Sequence, residues 1–303
     1  MPRLDSPHVT FRHYLPTLLL LVTGTLLSFA AYHRASVQEY EQLSQRFEYL
    51  AKERAARLQT GIDRALEVLY ATGALFDAST EVTRAEFDAF LGDLIELHPD
   101  IHGIEWLPRV RASDRRLFET RARAEGFADF VITEQTGART LGPAGPRAEY
   151  FPVFYAVPRE RNRRAFGFDS YSQADNDRVM DASRDTGAVL ATAAFAPVQD
   201  PQARPSTVIY RPVYHGGRAP AEVAERRERL MGFVVALLRI PDVVDVAMRG
   251  LDTAGLDWIL TDVTAPAGKR TILFHSSRTR KTSLLPPDVE AFDAALTTTV
   301  ALT

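Results

Sequence analysis

The longest apolar run in the chain is Leu15 to Tyr32, LPTLLLLVTGTLLSFAAY, which carries no charged side chain and has Tyr14 and Tyr32 at its ends. A bilayer core takes about 20 apolar residues, with roughly 17 as the working minimum, and aromatic rings favour its two interfaces. The run predicts a transmembrane helix over residues 14–33. A cleaved leader is the alternative, since Ser28 and Ala30 mimic the small residues that precede a cut. A leader's apolar region is about 7–15 residues long, so the length favours an uncleaved anchor, as does the helical pattern that follows without a break. Beyond it, Tyr40, Leu43, Phe47, Leu50, Leu58, Ile62, Leu66 and Leu69 recur at helical spacing, interrupted by Arg54. That pattern predicts a long helix over residues 34–73. It reads as a stalk, as an ordinary domain helix, or as one in each half.

Shorter alternations follow. Thr83 with Glu86 forms a capping-box pattern before Phe87, Phe90, Leu91, Leu94 and Ile95, predicting a helix that stops before Pro99. Ile101–Val110 alternates like a strand. Arg115–Glu125 predicts a helix ended by Gly126, and Asp177–Asp185 a helix ended by Gly187. Strands are predicted at Phe130–Ile132, Tyr150–Tyr155, Ala188–Thr192, Val208–Tyr214 and Gly232–Leu238, and a hairpin from Trp258–Val263 to Arg270–Phe274. Helices are predicted at Ala221–Arg229 and from Pro241 to Met248, and a last strand over residues 297–303. Several neighbouring strands without a strict strand–helix–strand period predict an α+β fold with largely antiparallel sheets.

Charge and composition narrow the function. A net charge of −3 over 303 residues gives no footprint for nucleic acid. The chain has no cysteine, which removes disulfides, thiol catalysis and cysteine–zinc sites. Arg3 and Arg12 precede the apolar run, and Arg34 is offset by Glu39 and Glu41. The bias points to a cytoplasmic N-terminus (residues 1–13) and an extracytoplasmic remainder. No phosphate-binding loop, nucleophile elbow or paired-acid motif occurs, so no cofactor is expected and no residue is singled out as catalytic; whether a nucleophile meets a base depends on the fold. His98 and His102 flank Asp100, but Pro99 opposes a helix there and no third ligand is evident, so no metal is expected. The basic run Arg159–Arg164 reads as a solvated loop.

A series of short motifs fits one family. They are Ile104–Val110 (IEWLPRV), Phe118-Glu119, and Glu149–Tyr155 (EYFPVFY) with Arg147 before it. They continue through Pro158 with Asn162, Gly167-Phe168-Asp169, Arg178, Ala182–Gly187 (ASRDTG), Thr192 and Tyr210–Tyr214 (YRPVY). In this order, over roughly residues 75–245, the chain resembles the CHASE domain, the extracytoplasmic sensor of bacterial and plant receptors such as the cytokinin-receptor histidine kinases. The resemblance implies a long N-terminal helix followed by two PAS-like α/β units: a membrane-distal ligand-binding unit over 74–225 and a membrane-proximal unit over 226–303. It also implies a homodimer in the bacterial inner membrane. A second span and a cytoplasmic kinase or cyclic-di-GMP enzyme would lie beyond residue 303, leaving no enzyme activity in this stretch.

The same resemblance makes Asp169 a ligand-binding acid, with Leu190 and Tyr210 lining the pocket. Where the plant receptors carry a small threonine, Tyr210 would fill space, which argues against cytokinin itself. The aromatic residues Tyr150, Phe151, Phe154, Phe168 and Tyr171, with Thr192, complete the expected wall for a small molecule, a planar heterocycle being one class. Ordinary roles compete: strand aromatics are commonly plain core, and an Asp before a turn commonly caps it. Two other functions stay open, a membrane-anchored periplasmic hydrolase and a ligand-free dimerisation domain.

Overall fold

A computed structural model describes residues 8–137, 140–197, 200–251, 256–262, 272–276 and 298–299. In chain order the elements are α1 (His8–Ala78), α2 (Arg84–Glu96), β1 (Gly103–Pro108), β2 (Val110–Arg111), α3 (Arg115–Ala124), β3 (Thr133–Gln135), β4 (Leu141–Pro143), β5 (Glu149–Tyr150) and β6 (Tyr155–Val157). They continue with α4 (Ala174–Thr186), β7 (Leu190–Ala191), β8 (Ser206–Tyr214), α5 (Val223–Arg229), β9 (Leu230–Arg239), α6 (Ile240–Ala247), β10 (Trp258–Thr261) and β11 (Ile272–Ser276). The predicted α+β class and antiparallel pairing hold.

The chain parts into two compact units between Glu53 and Arg54, within α1. In the first unit α1 carries the apolar run, with a mean hydropathy of 1.7 over its most apolar 18-residue window and none of that window buried. In the second unit the same helix is a core element. Leu58, Ala65, Val68, Leu69 and Phe76 are buried in the main hydrophobic cluster, so the expected stalk over 34–73 is a domain helix in its later half. The buried face runs through the small residues Gly61 and Ala65, while Ile62 and Leu66 lie at its margin. Counting only large side chains tilted the predicted stripe. Arg211, from β8, lies over α1 at Gly73 and donates to Asp77 at 2.6 Å. A Cβ on Gly73 would fall 1.8 Å from the Arg211 guanidinium, so any larger residue there would displace that side chain.

The principal sheet has five strands in the order β6-β1-β9-β8-β7, and every neighbouring pair is antiparallel. Its central strand β9 holds β1 over six residue pairs from Gly103↔Leu237 to Pro108↔Gly232, and β8 along most of its length. Period-two alternation then sorts the side chains. Ile104, Trp106, Val234 and Ala236 face the cluster that holds α1 and α2. Leu107, Val208, Tyr210, Phe233 and Val235 face a second cluster that holds Phe151 and Met180. Gly232 permits the close approach of β1, since a Cβ there would meet the Leu107 carbonyl oxygen at 2.2 Å.

Local signals account for the helix ends. Glu86 accepts from the Thr83 amide at 2.8 Å while Thr83 Oγ1 accepts from the Glu86 amide, the predicted capping box. Gly187 is left-handed and its amide donates to Ser183 at 2.8 Å, closing α4 as predicted.

Four expectations need correction. The strand expected at Phe130–Ile132 begins only at Thr133. The aromatic strand expected at Tyr150–Tyr155 is split into β5 and β6, because residues 151–153 hydrogen-bond to the segment 167–170 in place of a neighbouring strand. The strand expected at Ala188–Thr192 shortens to Leu190–Ala191. The expected boundary at 225/226 falls between β8 and β9, which pair within one sheet, so that unit runs at least to Arg239. The predicted hairpin is present as β10–β11, its turn and all but residues 298–299 of the strand expected over 297–303 lying outside the described residues.

Candidate functional site

The sheet face opposite α1 is roofed by residues 151–173 and the first turns of α4. Between roof and sheet lies a cavity of about 480 Å³. Its floor is Glu105 from β1, Val208 from β8, and Val235 and Leu237 from β9. Its walls include Val153, Phe168, Ser170 and Asn176. Arg161, Arg204 and Arg239 lie near one another with Asp200 in its lining, which also includes Arg164 and His102. That volume holds a small organic molecule.

The roof is fixed by backbone bonds. The Gly167 amide donates to Val153 O at 2.9 Å, the Val153 amide to Phe168 O at 3.0 Å, and the Asp169 amide to Thr133 O at 2.8 Å. Gly167 has φ +81°, and a Cβ would meet Val131 O at 2.4 Å, so the turn demands glycine. α4 is tied down through a polar relay. Asn176 Nδ2 donates to Ser170 Oγ at 3.2 Å, and that oxygen lies 2.6 Å from Tyr210 Oη.

Glu105 is the anomaly of the site. It is 7% exposed, and among the described residues its carboxyl has no hydrogen-bond or ion-pair partner. Burial alone pushes its pKa up to about 7. Arg239 complements it. Its Nε is buried without an acceptor, and its nearest acid, Asp200, is 3.8 Å away and already held by Arg204 at 2.9 Å and by two backbone amides. Burial pulls Arg239 below its usual pKa, and His102 likewise. His102 and Ser170 both line the cavity, but the Ser170 hydroxyl engages Tyr210 and Asn176, while His102 Nδ1 is 3.8 Å from Asp242. They do not form a nucleophile–base pair.

The residues expected from sequence are placed differently. Phe168 lines the cavity. Asp169 sits beside it, fully buried, but its carboxylate faces away: it accepts from the Phe151 amide at 2.8 Å, the Tyr171 amide at 3.3 Å and Arg147 at 2.6 Å. The capping role of such an Asp is therefore realised. Arg147 also binds Glu134, so Asp169 belongs to a structural ion-pair network; burial nonetheless raises its pKa. Tyr210 is completely buried behind Ser170 and edge-on to Phe233. Phe151 packs between Phe233 and Tyr171, and Tyr171 donates to Asp181 at 2.9 Å. Tyr150 and Phe154 belong to the cluster on the other face, and the Tyr150 hydroxyl donates to Gly145 O at 3.0 Å. Leu190 pairs with Tyr210 at the sheet edge, and Thr192 Oγ1 accepts from the Val208 amide at 3.1 Å. Of the basic run, Arg161 and Arg164 reach the cavity mouth, which charge patterning alone did not indicate.

Comparison with known proteins identifies the family. The family model described as "CHASE domain" matches residues 80–273. Hybrid signal transduction histidine kinase A of Dictyostelium discoideum is 22% identical over 260 residues, which is 82% of this chain and 12% of that protein. The chain thus spans a small part of that relative. Among solved structures, the ligand-binding domain of a Pseudomonas aeruginosa PAO1 amino acid chemoreceptor, PctC, in complex with GABA, aligns over 75% of each chain with 12% identity and a TM-score of 0.40. That score is too low for any transfer between the two.

Two outcomes are expected. Asp169→Ala strands the Phe151 amide and part of Arg147, and should lower unfolding stability by about 3 kcal/mol in a denaturant titration. Unchanged stability would return Asp169 to the cavity wall. For Glu105 the unfolded chain ionises near 4.5 and the folded chain near 7. Between those values the unfolded chain releases a proton that the fold retains, so stability falls as pH rises, by on the order of 3 kcal/mol at about 1.4 kcal/mol per pH unit. Glu105→Gln should remove that loss, read as the difference between the two proteins' stabilities across pH 4.5–7.

Proposed function

This chain belongs to the CHASE domain family, and from that footing we propose that it is the small-molecule sensor of a membrane-anchored signalling protein. The observation that carries the proposal is the cavity of about 480 Å³, which contains a buried carboxyl without a protein partner. A packed core leaves no such volume, and a buried carboxyl without a partner costs stability unless something in the cavity meets it. Ligand binding here would bias the positions of the roof, α4 and the sheet, and so shift populations between signalling states.

The membrane arrangement belongs to the same proposal. The apolar run at the start of α1 spans the bilayer, residues before it stay cytoplasmic, and the sensor is extracytoplasmic. The chain works as a homodimer and reports to a kinase or cyclic-di-GMP domain in the full protein. The unit holding the cavity is the membrane-distal one, and the β10–β11 hairpin belongs to a membrane-proximal one. The family and the single apolar, unburied window support this arrangement.

Two measurements test it. The full chain, purified in detergent, should release a small molecule on denaturation that mass spectrometry detects. Adding that molecule back should raise the melting temperature, since a ligand at about 100 times its Kd adds about 2.7 kcal/mol. A chain that melts identically with every extract fraction is not a sensor of this kind. Because the sequence lacks cysteine, Ser36→Cys gives one labelling site. A membrane-impermeant maleimide should modify it in intact spheroplasts, whereas labelling only after lysis would reverse the topology.

A further inference from the structure

We infer that the cavity takes a small zwitterion, a molecule with a protonated nitrogen for Glu105 and a carboxylate or similar anion for Arg239 and the arginines beside it. The inference rests on the sensing function proposed above and specifies its ligand class.

Two orphan groups of opposite kind line one cavity. Glu105, when ionised, offers only acceptors, is more than nine-tenths buried, and has no donor from the protein among the described residues. At the other end the Arg239 Nε donor is buried without an acceptor. Either group alone could be a tolerated defect; the two residues line the same cavity, Arg239 with only a 3.8 Å ion-pair contact to Asp200, and are complementary to one dipolar occupant. The sheet fixes their separation. Glu105 is in register with Val235, and Arg239 lies four residues further along the same strand, on the same face. That is about 13 Å between backbone positions at ~3.3 Å per residue, a span that long glutamate and arginine side chains narrow to the length of a small molecule.

The surroundings agree with that polarity. The apolar Val153, Phe168, Val208 and Val235 line the cavity with Glu105, beside the polar Ser170 and Asn176. A carboxylate there attracts a cation more strongly than in water. The Arg239 end has surplus positive charge. Arg161 and Arg164 have no ion-pair partner among the described residues, and Asp200 is already engaged by Arg204. A neutral heterocycle would leave both ends unmatched. An ammonium held by Glu105 would also stabilise its ionised form, offsetting the burial that opposes ionisation.

The test is calorimetric titration of the full chain in detergent. The probes are glycine, 3-aminopropanoate, 5-aminopentanoate and 6-aminohexanoate, with pentylamine and pentanoate as singly charged controls, and the molecule released on denaturation. At least one zwitterion should bind, with the singly charged controls at least tenfold weaker. Glu105→Gln should weaken the zwitterion at least tenfold without lowering the melting temperature of the unliganded chain, because Glu105 makes no protein bond to lose. Arg239→Gln should weaken it similarly, with Arg239→Lys partly restoring affinity as a check that the fold is intact. The inference is overturned if the ligand that binds is neutral or singly charged, or if Glu105→Gln leaves affinity within twofold; the sensing function then stands. If neither the probes nor any extracted molecule binds, the sensing function itself fails.

Discussion

The architecture depends on one constraint: β9 must bury both of its faces while pairing along both of its edges. Its sequence meets every part of that demand. Apolar residues run continuously from Phe233 to Leu238, so neither face presents a polar side chain to a packed layer. Gly232 lets β1 come close, and Arg239 ends the strand where the second layer opens into the cavity. The two clusters it separates have different contents. The α1 side is a filled core of aliphatic and aromatic side chains, whereas the opposite side closes over a space. A fold with one sealed face can leave the other partly unfilled because the burial it needs for stability has been obtained elsewhere.

Much of the frame was legible in the sequence because its signals are local. The capping box at Thr83 and Glu86, the left-handed Gly187 and the apolar strand at Phe233–Leu238 each act over a few residues, and each appears where predicted. The roof was less legible. Residues 150–155 have strand-like composition, yet the hydrogen bonds of 151–153 go to Gly167–Ser170, an encounter between segments that no local pattern encodes. The same non-local contact determines the fate of Asp169. Its position before a turn indicated both a cap and a wall residue, and only the nearness of Arg147 and the Phe151 amide decides between them.

Glu105 was overlooked for a related reason. In Ile104-Glu105-Trp106-Leu107 a charged residue at an alternate position reads as the solvent side of a strand. That inference requires one wet face. The available clue lay in β9, whose unbroken apolar run implies two dry faces for the sheet it centres, and so for the strand beside it. A charge on a strand next to such a run is in a buried layer, where an ionisable group marks a place of chemical interest.

The seat of α1 on the sheet has one further consequence. Arg211 occupies the space where any residue but glycine at position 73 would carry a Cβ. Turning the helix by one residue, roughly 100°, would present Thr72 or Ala74 to the guanidinium, and both carry that atom. The ion pair between Arg211 and Asp77, which lies one turn further along the same helix, is therefore a contact that any rotation of the helix against the sheet must break or carry with it.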